Sequence, residues 1–79
     1  MIYHALIIDD DQEIRNLTSK FLSKNGFAVS QAACTTEADS LLKDFKFDVI
    51  ILDILMPKET GIEYLSRKQS LNCPVIMLT

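Results

Sequence analysis

The sequence is short of the residues that mark several common protein classes. Among 79 residues there are two glycines, two prolines, two cysteines and one histidine. No linker, repeat or low-complexity tract can be built from so little Gly and Pro. Cys34 and Cys73 stand far apart, with no Cys-x-x-Cys and no neighbouring His. They read as two reduced thiols and not as a metal or redox motif. The single histidine, His4, opens the first apolar run and reads as structural. Positive charge is also scarce: eight Lys and Arg face eleven Asp and Glu, for a net charge of -3. With no basic stripe and a pI near 4.9, the chain is not expected to bind nucleic acid by itself. The longest apolar stretches have the length of a strand, so no segment is expected to span a membrane. Met1-Ile2-Tyr3-His4 lacks the charged-then-apolar pattern of a secretion signal. Hydrophobic residues nevertheless make up 48% of the chain, enough for the core of one small domain.

What the chain does have is two apolar runs that end in acid. Val49-Ile50-Ile51-Leu52 is followed by Asp53, and Ala5-Leu6-Ile7-Ile8 by Asp9-Asp10-Asp11. Unbroken apolar runs of this length suit strands buried on both faces, as in a parallel sheet. A carboxylate in such a strand is costly unless it sits at the end with a partner or a metal. Two such strands therefore suggest one acidic pocket at one edge of a sheet.

The remaining chain alternates between the two periodicities. His4–Ile8 reads as a strand. Asp10 or Asp11 can cap a helix from Gln12 to Asn25 with Ile14, Leu17, Phe21 and Leu22 on its apolar face. Asn25-Gly26 stops that helix, Gly26 suiting the left-handed position. Phe27–Ala32 is a weaker strand. Thr35 or Thr36 is expected to cap a second helix bearing Ala38, Leu41, Leu42 and Phe45. Phe47–Asp53 is the third strand. Thr60-Gly61-Ile62-Glu63 fits a capping box that opens a short helix with Ile62 and Leu65 inward. After Cys73-Pro74, Val75–Thr79 reads as a fourth buried strand. This β-α-β-α-β-α-β order predicts an α/β fold: a parallel sheet, right-handed crossovers and helices on both faces. Sites in such sheets form at the carboxyl ends of the strands, where Asp9, Asp10, Asp53 and Thr79 all fall.

Three carboxylates held together repel one another: two like charges at ~4 Å cost about 4 kcal/mol at an effective dielectric of 20. A hard divalent cation with oxygen ligands, such as Mg²⁺, would neutralise them. An Asp beside Mg²⁺ is also chemically suited to accept a phosphoryl group as an acyl phosphate.

Asp9-Asp10 after a strand, Asp53-Ile54-Leu55-Met56-Pro57, Gly61 four residues beyond that Pro, and Thr79 closing Pro74–Thr79 together resemble the receiver domain of bacterial response regulators. The flavour is that of the subfamily with winged-helix output domains. The resemblance implies the flavodoxin-like strand order 2-1-3-4 in three layers. It implies a two-component phosphorelay in the cytoplasm, in which a sensor histidine kinase docks on the Gln12–Asn25 helix and phosphorylates Asp53. Mg²⁺ would be held by Asp9, largely through water, and by Asp10, Asp53 and the backbone carbonyl of Leu55. Leu55 also occupies a position that tunes the lifetime of the phosphoryl group. Thr79 would be the switch hydroxyl. The module would promote its own phosphorylation and dephosphorylation without being a conventional enzyme.

The family pattern continues beyond Thr79 with a fifth strand, flanking helices and a Lys that contacts the phosphoryl group. Residues 1–79 are therefore expected to form a partial receiver domain lacking its fifth β-α unit, with no output domain and impaired activity. The stretch from Asp53 to Thr79 is also a couple of residues short. An uncovered fourth strand and sheet face lead to the expectation of self-association. Two other readings remain at this point. One is a degenerate receiver serving as a dimerisation or binding module without phosphorylation. The other is a Mg²⁺-dependent phosphohydrolase of the haloacid dehalogenase type. The latter needs Asp-x-Asp-x-Thr/Val, whereas Asp9-Asp10-Asp11-Gln12-Glu13 ends in Glu and Asp53-Ile54-Leu55 lacks the second Asp.

Overall fold

A computed structural model describes residues 2–68 and 71–78. Seven elements alternate along it: β1 His4–Ile8, α1 Gln12–Lys24, β2 Ala28–Ala32, α2 Thr35–Asp44, β3 Val49–Asp53, α3 Gly61–Arg67 and β4 Val75–Leu78. The strands form one sheet in the order β2-β1-β3-β4, and each neighbouring pair is parallel. This is the α/β architecture and 2-1-3-4 order expected from the sequence.

The register decides where the site lies. Ile8 pairs with Ala32 on one side and Leu52 on the other, so the residues that follow Ile8 and Leu52 come level at one edge. The next residue along each strand is an acid: Asp9 follows Ile8 just beyond β1, and Asp53 follows Leu52 as the last residue of β3, opposite Leu78. Central position explains the sequence of β1, in which Ala5, Leu6, Ile7 and Ile8 are all buried.

Alternation along the strands separates two faces. Leu6, Ile8, Ile50 and Leu52 join Ala38, Phe47, Met56 and Tyr64 in the core, with Leu41, Leu42, Leu65, Val75 and Met77 packed around them. This is the side covered by α2 and α3. The opposite side is covered by α1, which rests on β1 and β2. Here the expectation needs correcting. Ile14, Leu17 and Phe21 do not pack inward; they are exposed, and no residue of α1 is fully buried. Only Leu22 of the expected apolar face is half-buried. α1 meets the sheet through Arg15, Thr18, Ser19 and Leu22, and among the described residues nothing covers its apolar stripe. β4, at the sheet edge, is likewise only partly covered, with Ile76 and Leu78 exposed.

The helix ends follow local chemistry, with one exception. Asp11 caps α1, accepting the N–H groups of Glu13 and Ile14. Gly26 takes φ +90°, as the stop after Asn25 requires. Thr60 and Glu63 form the expected capping box of α3. The cap of α2 is neither Thr35 nor Thr36. Cys34 holds that position in extended conformation without a side-chain bond. Glu37 reaches back to the Ala33 N–H at 2.7 Å instead, and Thr35 is buried in the first turn. Phe45 lies just beyond α2 and is exposed, its ring steeply inclined to that of His4. In α3 the inward residue is Tyr64, fully buried, while Ile62 is exposed; Leu65 packs on the core as expected. β2 and β3 begin at Ala28 and Val49, shorter than the patterns suggested.

His4 has the structural role expected of it. Its ring packs on Phe47 at 4.4 Å and its Nε2 lies 2.8 Å from the Ser30 hydroxyl.

Candidate functional site

Two strand ends deliver three carboxylates to one point. Asp9 directly follows β1 and is buried. Its Oδ1 accepts the Asp11 N–H at 2.9 Å, and its own N–H donates to the Ala32 carbonyl at 3.1 Å. Asp10 is exposed in the turn that follows. Asp53, half-buried at the end of β3, accepts the Leu55 N–H at 3.2 Å. One carboxylate oxygen from each of Asp9, Asp10 and Asp53 lies within 4.8 Å of the other two.

Electrostatics show what this arrangement lacks. Burial pushes the Asp53 carboxyl above the usual carboxylate range, and the charges of Asp9 and Asp10 push it further; the Leu55 N–H opposes them. Among the described residues no Lys or Arg forms an ion pair with any of the three. All the donor atoms are hard oxygens. The set therefore fits a small divalent cation such as Mg²⁺, which favours one or two carboxylates and keeps several waters.

The loop Ile54–Thr60 carries the backbone away from Asp53. Its first residue donates to the Leu78 carbonyl at 2.9 Å, and its carbonyl accepts the Gly61 N–H, also at 2.9 Å. This draws the start of α3 hard against the end of β3. A Cβ at position 61 would collide with the Asp53 carbonyl oxygen and meet the Ile54 Cα at 3.0 Å, so glycine is required there for close approach. Leu55 is strongly exposed. Lys58 sits at φ +69°, the left-handed region that β-carbon sterics disfavour.

Asp9, Asp10 and Asp53 are thus brought together, and Leu55 lies on the adjoining loop. Thr79, expected as the switch hydroxyl, lies outside the described residues.

Two features were not anticipated. Arg15 donates through Nη1 to the Asp9 carbonyl at 2.8 Å and through Nε to Gln31 at 3.3 Å, tying α1 to the turn that holds Asp9 and Asp10. Arg67 of α3 grips Glu59 of the loop, with Nε to Oε2 at 2.6 Å and Nη2 to Oε1 at 2.9 Å. It also reaches Asp39 of α2 at 3.1 Å. Asp39 further accepts the Tyr64 hydroxyl at 2.9 Å and pairs with Lys68 at 3.2 Å. Burial raises the Asp39 carboxyl, but hydrogen bonds from Arg67, Tyr64 and Lys68 outweigh it and hold the group below its usual range. Arg67 holds Glu59 low in the same way. Tyr64 is pushed well above the ordinary phenol range, by burial first and Asp39 second. Neither feature has a sequence signal, because the partners lie on different elements and follow no local spacing.

Comparison with known proteins agrees with this geometry. Residues 5–79 match the response regulator receiver domain. The chain is 41% identical over 78 residues to Protein PetR of Rhodobacter capsulatus, covering 96% of this chain and 32% of that protein. It is 41% identical over 75 residues to the transcriptional regulatory protein CpxR of Escherichia coli, covering 94% and 32%. The chain therefore spans about a third of the length of the curated relatives it matches. The N-terminal domain of a response regulator receiver protein from Methanoculleus marisnigri superposes with a TM-score of 0.93 at 29% identity, covering all of this chain and 68% of that one. The response regulator TrrA of Thermotoga maritima, in complex with Mg²⁺-BeF, superposes with a TM-score of 0.89 at 31% identity, covering 99% and 70%. An acid-tipped 2-1-3-4 sheet with these relatives belongs to the response regulator receiver domain family, the receiver module of two-component signalling.

Proposed function

We propose that Asp53 is the phosphoacceptor of this module, with a histidine kinase as the phosphoryl donor. The observation that carries the reading is the cluster itself: three carboxylate oxygens within 4.8 Å of one another, without a described cationic side chain paired to any of them. An oxygen of Asp53 attacks the phosphorus of a phosphohistidine. The P–N bond breaks, its electron pair returns to the imidazole nitrogen, and an acyl phosphate forms on Asp53. Mg²⁺, held by Asp9, Asp10, Asp53 and the Leu55 carbonyl, would supply positive charge against that carried by the transferring oxygens.

The residues of the chain have separate tasks. Asp9 and Asp10 hold the acidic cluster at the end of β1, and Arg15 fixes the turn between them. The Leu55 N–H orients one oxygen of Asp53, leaving the other to attack. The reaction needs Asp53 ionised, so protonation competes with it at acid pH. Thr79 belongs to the same reading as the hydroxyl partner of the phosphoryl group.

The test is intact mass before and after incubation with Mg²⁺ and a small-molecule phosphodonor. A gain of one phosphoryl group, absent in Asp53→Asn and in the presence of EDTA, is expected. A folded chain that binds Mg²⁺ yet gains no mass would overturn phosphoacceptance and leave a binding module.

A further inference from the structure

The loop Ile54–Thr60 has a weakness that the rest of the site lacks. It lies in no helix or strand, and it holds a non-glycine residue, Lys58, at positive φ. A residue in that conformation persists only when its surroundings determine it. At its start the loop is anchored by backbone bonds to β4 and α3. At its far end Thr60 is held to α3 by the capping box with Glu63, and the side chain of Glu59 is held by Arg67.

Arg67 is suited to this by its planar fork. It meets Glu59 with two nitrogens on two oxygens, a geometry that Lys cannot reproduce. The same guanidinium reaches Asp39 and lies over the Tyr64 ring at 4.9 Å from its centroid. Arg67 itself is exposed, but Tyr64 beneath it is fully buried and bonded to Asp39, so one side of the clamp rests on the core. Isolated exposed pairs contribute little, but a network anchored on rigid elements holds its geometry better.

We propose that Arg67 is a positioning residue for the acidic site: by locking Glu59 to Asp39 and Tyr64 it fixes the loop that carries Leu55 beside Asp53. The site's metal affinity is therefore coupled to a contact on α3 that touches none of the three carboxylates. Glu59 is the loop's handle, and α2 takes part through Asp39. The inference rests on the cation-binding part of the reading above.

The experiment titrates the 79-residue chain with Mn²⁺, following the free-ion EPR signal, and measures hydrogen exchange at the loop amides of residues 55, 56 and 58–60. Arg67→Ala is expected to weaken Mn²⁺ binding about fivefold and to speed exchange in the loop about tenfold. Arg67→Lys should recover less than half of each effect, because charge without the fork does not rebuild the grip. Lys68→Ala, which removes another cation from Asp39 but leaves Glu59 held, should stay within twofold of the unaltered chain. If Arg67→Ala does not fold, Glu59→Gln carries the same expectation. Loop exchange and Mn²⁺ affinity both within twofold of the unaltered chain, in a variant that melts cooperatively, would overturn the proposal. Absence of Mn²⁺ binding in the unaltered chain would overturn the cation site, and the exchange measurement would still decide whether Arg67 holds the loop.

Discussion

The two faces of the sheet are built from similar residues and end in different states. On the side of α2 and α3, Leu6, Ile8, Ile50 and Leu52 meet Ala38, Met56 and Tyr64 in a closed core. On the side of α1, Ile14, Leu17 and Phe21 stand exposed, and Ile76 and Leu78 are exposed on the edge strand β4. The difference is not one of hydrophobicity. Helical periodicity is present in α1 as clearly as in α2, but the stripe it draws points past the sheet. Periodicity therefore identifies a face that needs cover, and only the topology says whether cover is there. Exposed apolar residues gathered on one side of a sheet mark an interaction face or an association hazard.

The largest test of that contrast is a pair of truncations. Tyr64→Ala should cost about 3–5 kcal/mol by emptying a fully buried site, and it also leaves Asp39 without the hydroxyl bond. Leu17→Ala, on the exposed stripe, should change stability by less than about 0.5 kcal/mol. Urea unfolding followed by circular dichroism checks both, and similar costs on the two faces would break the comparison.

The next effect belongs to the sheet end where the two faces meet. Mg²⁺ at about a hundred times its dissociation constant should stabilise the chain by about 2.7 kcal/mol. The increment should vanish in Asp53→Asn and persist in Leu17→Ala. A thermal melt with and without EDTA reads it directly.

Association is the third test. The 79-residue chain should show a concentration-dependent mass by light scattering, and a Leu17→Lys, Phe21→Lys double variant should move toward the monomer. A chain that stays monomeric over a wide dilution series, with a cooperative melt, would sink the idea that the open face pairs copies.

Two smaller effects sharpen the picture of the loop and the cluster. Lys58→Gly should stabilise the fold by up to about 1 kcal/mol by removing the left-handed strain. The pH dependence should have opposite signs in the two regions. Asp53 is raised, so in EDTA its contribution is most favourable below the ordinary carboxylate range and is lost as pH rises through its raised value. Asp39 and Glu59 are lowered, so the stability they give is present above their ordinary values and disappears as pH falls through their depressed ones. Asp53→Asn should flatten the first trend and leave the second, as melts from pH 3 to 7 would show.

Much of the fold was legible because parallel strands buried on both faces leave unbroken apolar runs, and helix-capping chemistry is local. Asp9, Asp10 and Asp53 could be joined in advance because each follows such a run, and the register then sets them level. The inward face of α3 was not legible. A helix of seven residues gives too few turns to fix its phase, and Ile62 with Leu65 competes with Tyr64 for the inward side. Nor could the Arg67 clamp be read, since Glu59, Asp39 and Arg67 become neighbours only after the chain has crossed the sheet. The cap of α2 failed for a related reason: Thr35 is drawn into the first turn and buried, leaving Cys34 at the cap.

Gly61 carries a consequence for how this sequence can change over time. Its missing side chain lets the start of α3 close on the carbonyl of Asp53, so even the smallest replacement moves the backbone that aims the acceptor. A library of variants screened for folding alone would pass those substitutions whose backbone shift the rest of the fold absorbs. The same library screened for metal binding would reject them. Position 61 is thus where selection for a stable domain and selection for a responsive one would part company.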